Sequence, residues 1–126
     1  MTLELRNLTK RPIPSRPLLS ALTKKALGKR YTLSLVICAD ALTQKLNRVY
    51  RQKNSPANVL SFSYAKNSGE IFLNVAKAQR EAKKEGVSTN SRLLLLFVHA
   101  LAHLRGFSHG TAMDRFEKKL GGKLSI

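Results

Sequence analysis

Arg92-Leu-Leu-Leu-Leu-Phe-Val-His99-Ala-Leu-Ala-His103-Leu-Arg-Gly106-Phe-Ser-His109 contains the longest apolar stretch of the chain, Leu93 to Val98, and all three of its histidines. No glycine or proline interrupts it before Gly106, and Ser88 or Thr89 just upstream can cap it, so a helix is expected over Arg92 to Arg105. Such a helix is apolar on most sides and has to be buried. A buried helix needs a layer to lie across, and the flanking segments supply the strands for one.

Upstream, Thr2 to Leu8 alternates Leu3 and Leu5 with polar neighbours, as a short strand does. Ser15 can cap a helix with Pro17 in its first turn and a stripe of Leu18, Leu19, Leu22 and Ala26, ending at Gly28. Tyr31 to Cys38 places Leu33, Leu35 and Ile37 on one face of a strand. Asp40 suits the N-cap of a helix through Arg51, whose expected inner face is Leu42, Leu46, Val49 and Tyr50. Lys53 to Asn58 is a polar loop. Val59 to Tyr64 and Glu70 to Asn74 read as two strands joined by the turn residues Asn67, Ser68 and Gly69, a possible hairpin. Val75 to Glu85 is a helix with a basic outer face. After a loop at Gly106 to Gly110, a last short helix runs to about Leu120. Residues 1–126 thus form one expected domain of the α+β class, a mixed four-stranded sheet with about five helices, the most apolar of which carries the histidines.

Charge limits the function classes. Lys and Arg number 23 against 7 acids, a formal charge of +16 over 126 residues. So one-sided a balance repels itself in the compact state, and a polyanion relieves it. The basic residues are spread from Lys24 to Lys123, which suggests a charged face and a nucleic acid partner rather than a basic tail. Three Tyr, five Phe and no Trp point to little base stacking and modest sequence specificity. The single cysteine, Cys38, lies in an apolar run and is expected to be a core thiol in a reducing, cytoplasmic setting. Residues 1–15 hold no apolar signal core and no run is long enough to span a bilayer, so no membrane association is expected.

The histidines carry the chemistry. Positions four apart on a helix share a face and stand roughly 6 Å apart. The imidazoles of His99 and His103 can therefore meet at one cation, with Leu95 and Leu96 expected to anchor that face in the core. Gly106 can end the helix with positive φ and let the chain turn back, bringing His109 to the same point. A His-x-x-x-His pair alone on an apolar helix is usually two histidines and nothing more. The third behind a glycine turn changes that reading. Three neutral imidazoles with a fourth position open match a catalytic zinc site better than a structural one, which four protein ligands would close. Zinc there would lower the pKa of bound water to roughly 7. The spacing is shared with metzincin proteases, but those carry a glutamate general base directly after the first histidine. Here that position is Ala100, which disfavours a peptidase and, with the +16 charge, favours a phosphodiester substrate.

With these residues in view, the chain resembles the YbeY family of rRNA maturation factors, described as metal-dependent endoribonucleases. The likeness rests on His99 to His109, on Leu46-Asn47-Arg48-Val49-Tyr50-Arg51 followed by Pro56-Ala57-Asn58-Val59-Leu60-Ser61-Phe62, and on Gly69-Glu70-Ile71. It implies one zinc ion on His99, His103 and His109, catalytic roles for Arg51 and His103, and substrate contact by Arg51 and Ser61. It also implies single-strand-specific cleavage in rRNA processing and ribosome quality control, with the ribosome or its proteins as partners. A monomer is expected. The alternative is a non-catalytic, zinc-containing assembly factor that binds rRNA. A planar guanidinium at Arg51 can hold a phosphate, although a cation ending a helix also simply faces the helix dipole. Departures from the family pattern are Ala100 for the usual Gly, Ser108 for the usual Asp and Ala57 for the usual Thr. A carboxylate at position 108 could orient a ligand, and serine is a weaker partner.

Overall fold

The computed structural model describes residues 1–122 of the chain. It contains β1 (Thr2–Asn7), α1 (Arg16–Leu27), β2 (Thr32–Cys38), α2 (Asp40–Arg51), β3 (Val59–Ala65), β4 (Ser68–Asn74), α3 (Val75–Glu85), α4 (Thr89–Arg105) and α5 (Thr111–Gly121). The capping residues explain most of these boundaries. Ser15 accepts from the Leu18 N–H, Asn74 from Lys77 and Ser88 from Ser91, each filling an orphan donor of a first turn.

The sheet order is β1-β2-β4-β3. β1, β2 and β4 run parallel, and β3 returns antiparallel to β4 as the expected hairpin. Alternation along the strands sorts their side chains to two faces. Leu33, Leu35 and Ile37 of β2 and Ile71 and Leu73 of β4 form one core with Leu19 and Leu22 of α1, Val75 and Ala78 of α3, and Leu93, Phe97 and Leu101 of α4. The most apolar helix is thus buried across the sheet, as its composition requires. Leu96 is buried with it. Leu95 departs from expectation: it is 39% exposed, because α5 leaves a cleft beside it lined by Val98, Asp114 and Glu117.

The other face holds Val36, Cys38 and Phe72, with α2 beside it. Cys38 is the expected buried thiol, and burial pushes its pKa up to about 11. The inner face of α2 is displaced from the expected stripe. Thr43 and Asn47 are buried, Leu42 and Leu46 are half-buried, and Val49 and Tyr50 are exposed at 60% and 66%. Hydrogen bonding decides this. The Asn74 amide donates to Thr43 Oγ1 at 3.2 Å and the Asn47 amide donates to the Ser55 carbonyl at 2.9 Å. These bonds dock α2 through polar groups, and the helix turns its apolar residues aside. Asp40 is also not the cap. Ala39 holds that position, while the Asp40 carboxylate accepts from Asn74 Nδ2 at 2.8 Å and Arg80 at 2.9 Å.

Gly69 of β4 lies where no side chain fits. A Cβ there would strike the Tyr31 hydroxyl and sit 3.0 Å from the Phe62 carbonyl oxygen. The Tyr31 hydroxyl is buried without a hydrogen-bond partner among the described residues.

Candidate metal centre

The last turns of α4 set His99 and His103 one above the other. Gly106 then takes φ 111°, a left-handed value open to glycine, and its N–H closes on the Ala102 and His103 carbonyls. The Phe107 N–H reaches back to the Ala102 carbonyl at 3.1 Å. This closure reverses the chain and brings His109 over the same face before α5 begins. Ring centroids lie 4.7 Å apart for His99–His103, 5.3 Å for His99–His109 and 5.0 Å for His103–His109. One ligand nitrogen from each can be chosen so that all three fall within 4.8 Å of one another. The sequence expectation of three converging imidazoles therefore matches the geometry.

The hydrogen bonds behind the rings orient them. His99 Nδ1 meets Glu117 Oε1 of α5 at 2.6 Å, and His103 Nδ1 meets the Phe107 carbonyl at 3.2 Å. Both outer partners are acceptors, so each Nδ1 is placed to donate its hydrogen outward and each Nε2 is turned toward the other ring, where it can serve as the ligand atom. These two Nε2 atoms face each other at 3.2 Å. Nitrogens at that distance can share a hydrogen or hold a cation between them. Zinc–imidazole bonds of about 2.05 Å at a tetrahedral angle put ligand nitrogens about 3.3 Å apart, so the donor set suits such an ion. Burial, with the neighbouring His99 and His109 adding to it, pushes the His103 pKa below the ordinary histidine value, which favours the neutral form that can ligate.

In front of the histidines lies an open cleft of about 500 Å³, and Arg51, Asn58, Ser61 and Ala100 are among its lining residues together with all three histidines. Gln52, left-handed at φ 55°, ends α2 directly after Arg51. β3 is an edge strand and forms the wall opposite α4. The structure thus gathers every site residue expected from the sequence. Ala100 lines the cleft where a metzincin would hold its glutamate. No carboxylate lines the cleft among the described residues.

Two residues of the site escaped the sequence reading. Glu117 is the carboxylate against His99, where the sequence suggested position 108 for such a group. The sequence did not single it out: it is one of seven acids, and Asp114 stands three residues before it. Nothing in a linear reading placed α5 against α4. Asn58 lines the cleft with its amide nitrogen bound to Glu81 at 3.2 Å, and Glu81 in turn pairs with Arg92 at 3.2 Å. No helix among the described residues is long and apolar enough to cross a membrane.

Comparison with known proteins identifies the family. The family model described as endoribonuclease YbeY matches residues 9–120. The endoribonuclease YbeY of Neorickettsia sennetsu is 32% identical over 86% of this chain and 87% of its own length. That of Anaplasma phagocytophilum is 37% identical over 68% of this chain, a match spanning 58% of its own length. A solution structure of a Thermotoga maritima protein shares the fold, with a TM-score of 0.63 at 19% identity over 97% of this chain and 91% of that one. On this evidence of sequence and fold together, the chain belongs to the YbeY family.

Proposed function

We propose that this protein is a zinc-dependent endoribonuclease that cleaves single-stranded RNA in rRNA maturation and ribosome quality control. It would act as a cytoplasmic monomer on or near the ribosome. The observation that carries the reading is the convergence of three imidazoles, with ligand atoms within 4.8 Å of one another, at the floor of an open cleft. His99, His103 and His109 would hold one zinc ion, leaving its cleft side free. Bound there, zinc supplies a Lewis acid beside the scissile phosphate. Zinc is the favoured ion for such a set, with nickel or cobalt chemically close.

The protein's own groups do the rest. Arg51 on the cleft wall can pair with a phosphate oxygen in a bidentate fork and offset charge that develops during cleavage. Ser61, half-buried on β3, can hold the substrate backbone against that wall. His103 contributes through its held Nε2, with its other nitrogen fixed by the Phe107 carbonyl. Glu117 fixes the ring of His99 in the same way. The strongly basic surface brings RNA to the cleft, with an affinity that falls steeply as salt rises.

A second reading has one observation in its favour. The absence of a carboxylate among the described cleft-lining residues leaves no obvious general base, as suits a zinc-containing assembly factor that binds rRNA without cutting it. Incubating single-stranded and structured RNA with pure protein separates the two. The nuclease reading expects cleavage of single strands that stops with a chelator and fails in His103→Ala and Arg51→Ala. Binding without cleavage in the zinc-loaded parent would favour the assembly factor. Cleavage that survives chelation would indicate a contaminating enzyme.

A further inference from the structure

The aromatic residues are few, yet three of them pack in a row at the edge strand β3, on the α2 side of the sheet. Tyr50, at the end of α2, packs its ring edge-on against Phe62 with centroids 5.4 Å apart, and Phe62 does the same with Phe72 at 5.9 Å. Phe62 itself lines the cleft, as does Arg51, the neighbour of Tyr50. Tyr64, two residues beyond Phe62 on the same face of β3, is 62% exposed. Its hydroxyl donates to Glu70 Oε1 at 2.6 Å, and the Ser34 hydroxyl donates to Glu70 Oε2 at 2.8 Å. Both oxygens of the one nearby acid are thus engaged, and the tyrosine ring is held in place.

Two exposed tyrosines beside the half-buried rings of Phe62 and Phe72 form an aromatic patch open to an occupant. The local charge identifies its class. Arg48, Arg51 and Lys53 surround Tyr50 in sequence and are exposed, and no acid occurs between Asp40 and Glu70. An apolar peptide would gain nothing from these cations, whereas a nucleic acid strand offers phosphates to the arginines and flat bases to the rings.

We propose that Tyr50, supported by Phe62 and flanked by Tyr64, is a stacking platform for an unpaired base of the RNA strand that enters the cleft past Arg51. The proposal rests on the RNA reading given above and deepens it. A base in a duplex is already stacked on its neighbours and cannot lie on the ring, so the platform selects unpaired RNA. Stacking tolerates any base, so it adds affinity without adding sequence specificity.

The test uses the zinc-loaded full chain and two probes of equal length and charge. One is a 2′-O-methyl RNA 12-mer, and the other is the same backbone with abasic sites throughout. Fluorescence anisotropy at one fixed salt concentration reads the affinities. Tyr50→Ala is expected to weaken binding of the base-bearing probe by about tenfold, the weight of a single stacked base. It should leave the abasic probe within about twofold of the parent, the spread expected for a surface change away from any contact. Tyr50→Trp should restore the loss. Unchanged affinity for the base-bearing probe, or an equal loss on both probes, would overturn the platform. So would failure of the tryptophan variant to rescue. If the parent protein binds neither probe, the RNA reading itself falls and the platform with it, a result distinct from the other three.

Discussion

Replacing Glu117 by Gln would remove one negative charge and little else. The parent contact, His99 Nδ1 to Glu117 Oε1 at 2.6 Å, lies at the short end for a hydrogen bond to a charged acceptor. It does two things: it holds the ring plane and it keeps the hydrogen on Nδ1, so that Nε2 stays free. Glutamine is a weaker acceptor, and it can rotate to donate from its amide, which would favour the tautomer with Nε2 protonated. Loss of such a partner typically lowers metal affinity by about 10- to 100-fold. The effect on stability follows by linkage. Zinc at 100 times its dissociation constant stabilises the folded parent by about 2.7 kcal/mol, and a variant binding 100-fold more weakly would gain about 0.4 kcal/mol at the same concentration. Competition against a chromophoric chelator at pH 7 measures the affinity, and urea unfolding with and without zinc measures the stabilisation. The nitrogen-15 shifts of the His99 ring report its tautomer directly. A variant whose zinc affinity stays within about twofold of the parent, below the range typical of lost ligand partners, would refute the idea that Glu117 organises this ligand.

Three further outcomes concern the fold. Gly69→Ala should destabilise the protein by about 1–3 kcal/mol, as overpacking in a filled core does, because its Cβ would strike the Tyr31 hydroxyl and lie 3.1 Å from Leu104 Cδ2. Tyr31→Phe should be neutral or stabilising, since it deletes a buried hydroxyl with no partner among the described residues, and should relieve part of the Gly69→Ala cost; strictly additive urea midpoints would contradict this. The hydrogen bond from Arg80, helped by that from Asn74, holds the Asp40 carboxyl below the usual carboxylate range. Its folded pKa is therefore lower than its unfolded one, so its contribution is complete above about pH 3.9 and is lost as pH falls through the folded value. Asp40→Asn should lower the urea midpoint at pH 7 and converge with the parent in strong acid; a constant gap across the range would count against the linkage.

Most of the architecture was legible because it rests on local rules. Ser15, Ser88, Gly28 and Gly106 each carry a capping chemistry that depends on neighbouring residues alone. The alternation of Leu33, Leu35 and Ile37 needs only the two-residue period of a strand. The three histidines were legible for the same reason, since a helical turn and one glycine reversal suffice to bring them together. The errors arise where distant partners decide. The face of α2 was assigned by hydrophobicity, but Thr43 and Asn47 turn inward because Asn74 and the Ser55 carbonyl demand hydrogen bonds. The same rotation brings Tyr50 out against Phe62, where a count of aromatic residues could not have placed it. Glu117 was invisible as a site residue because only the packing of α5 on α4 sets it against His99.

That packing ties the integrity of the carboxy-terminal helix to occupancy of the site. His109 lies in the loop between α4 and α5, Glu117 reaches from α5 to His99, and the Phe107 and Phe116 rings meet at 4.8 Å. A cation drawing the three imidazoles together would therefore act as a clasp between the final helix and the body of the protein. Stripping it with a chelator should open this end first, exposing the loop from Gly106 to Gly110 to proteases while the sheet and α1 to α3 stay closed.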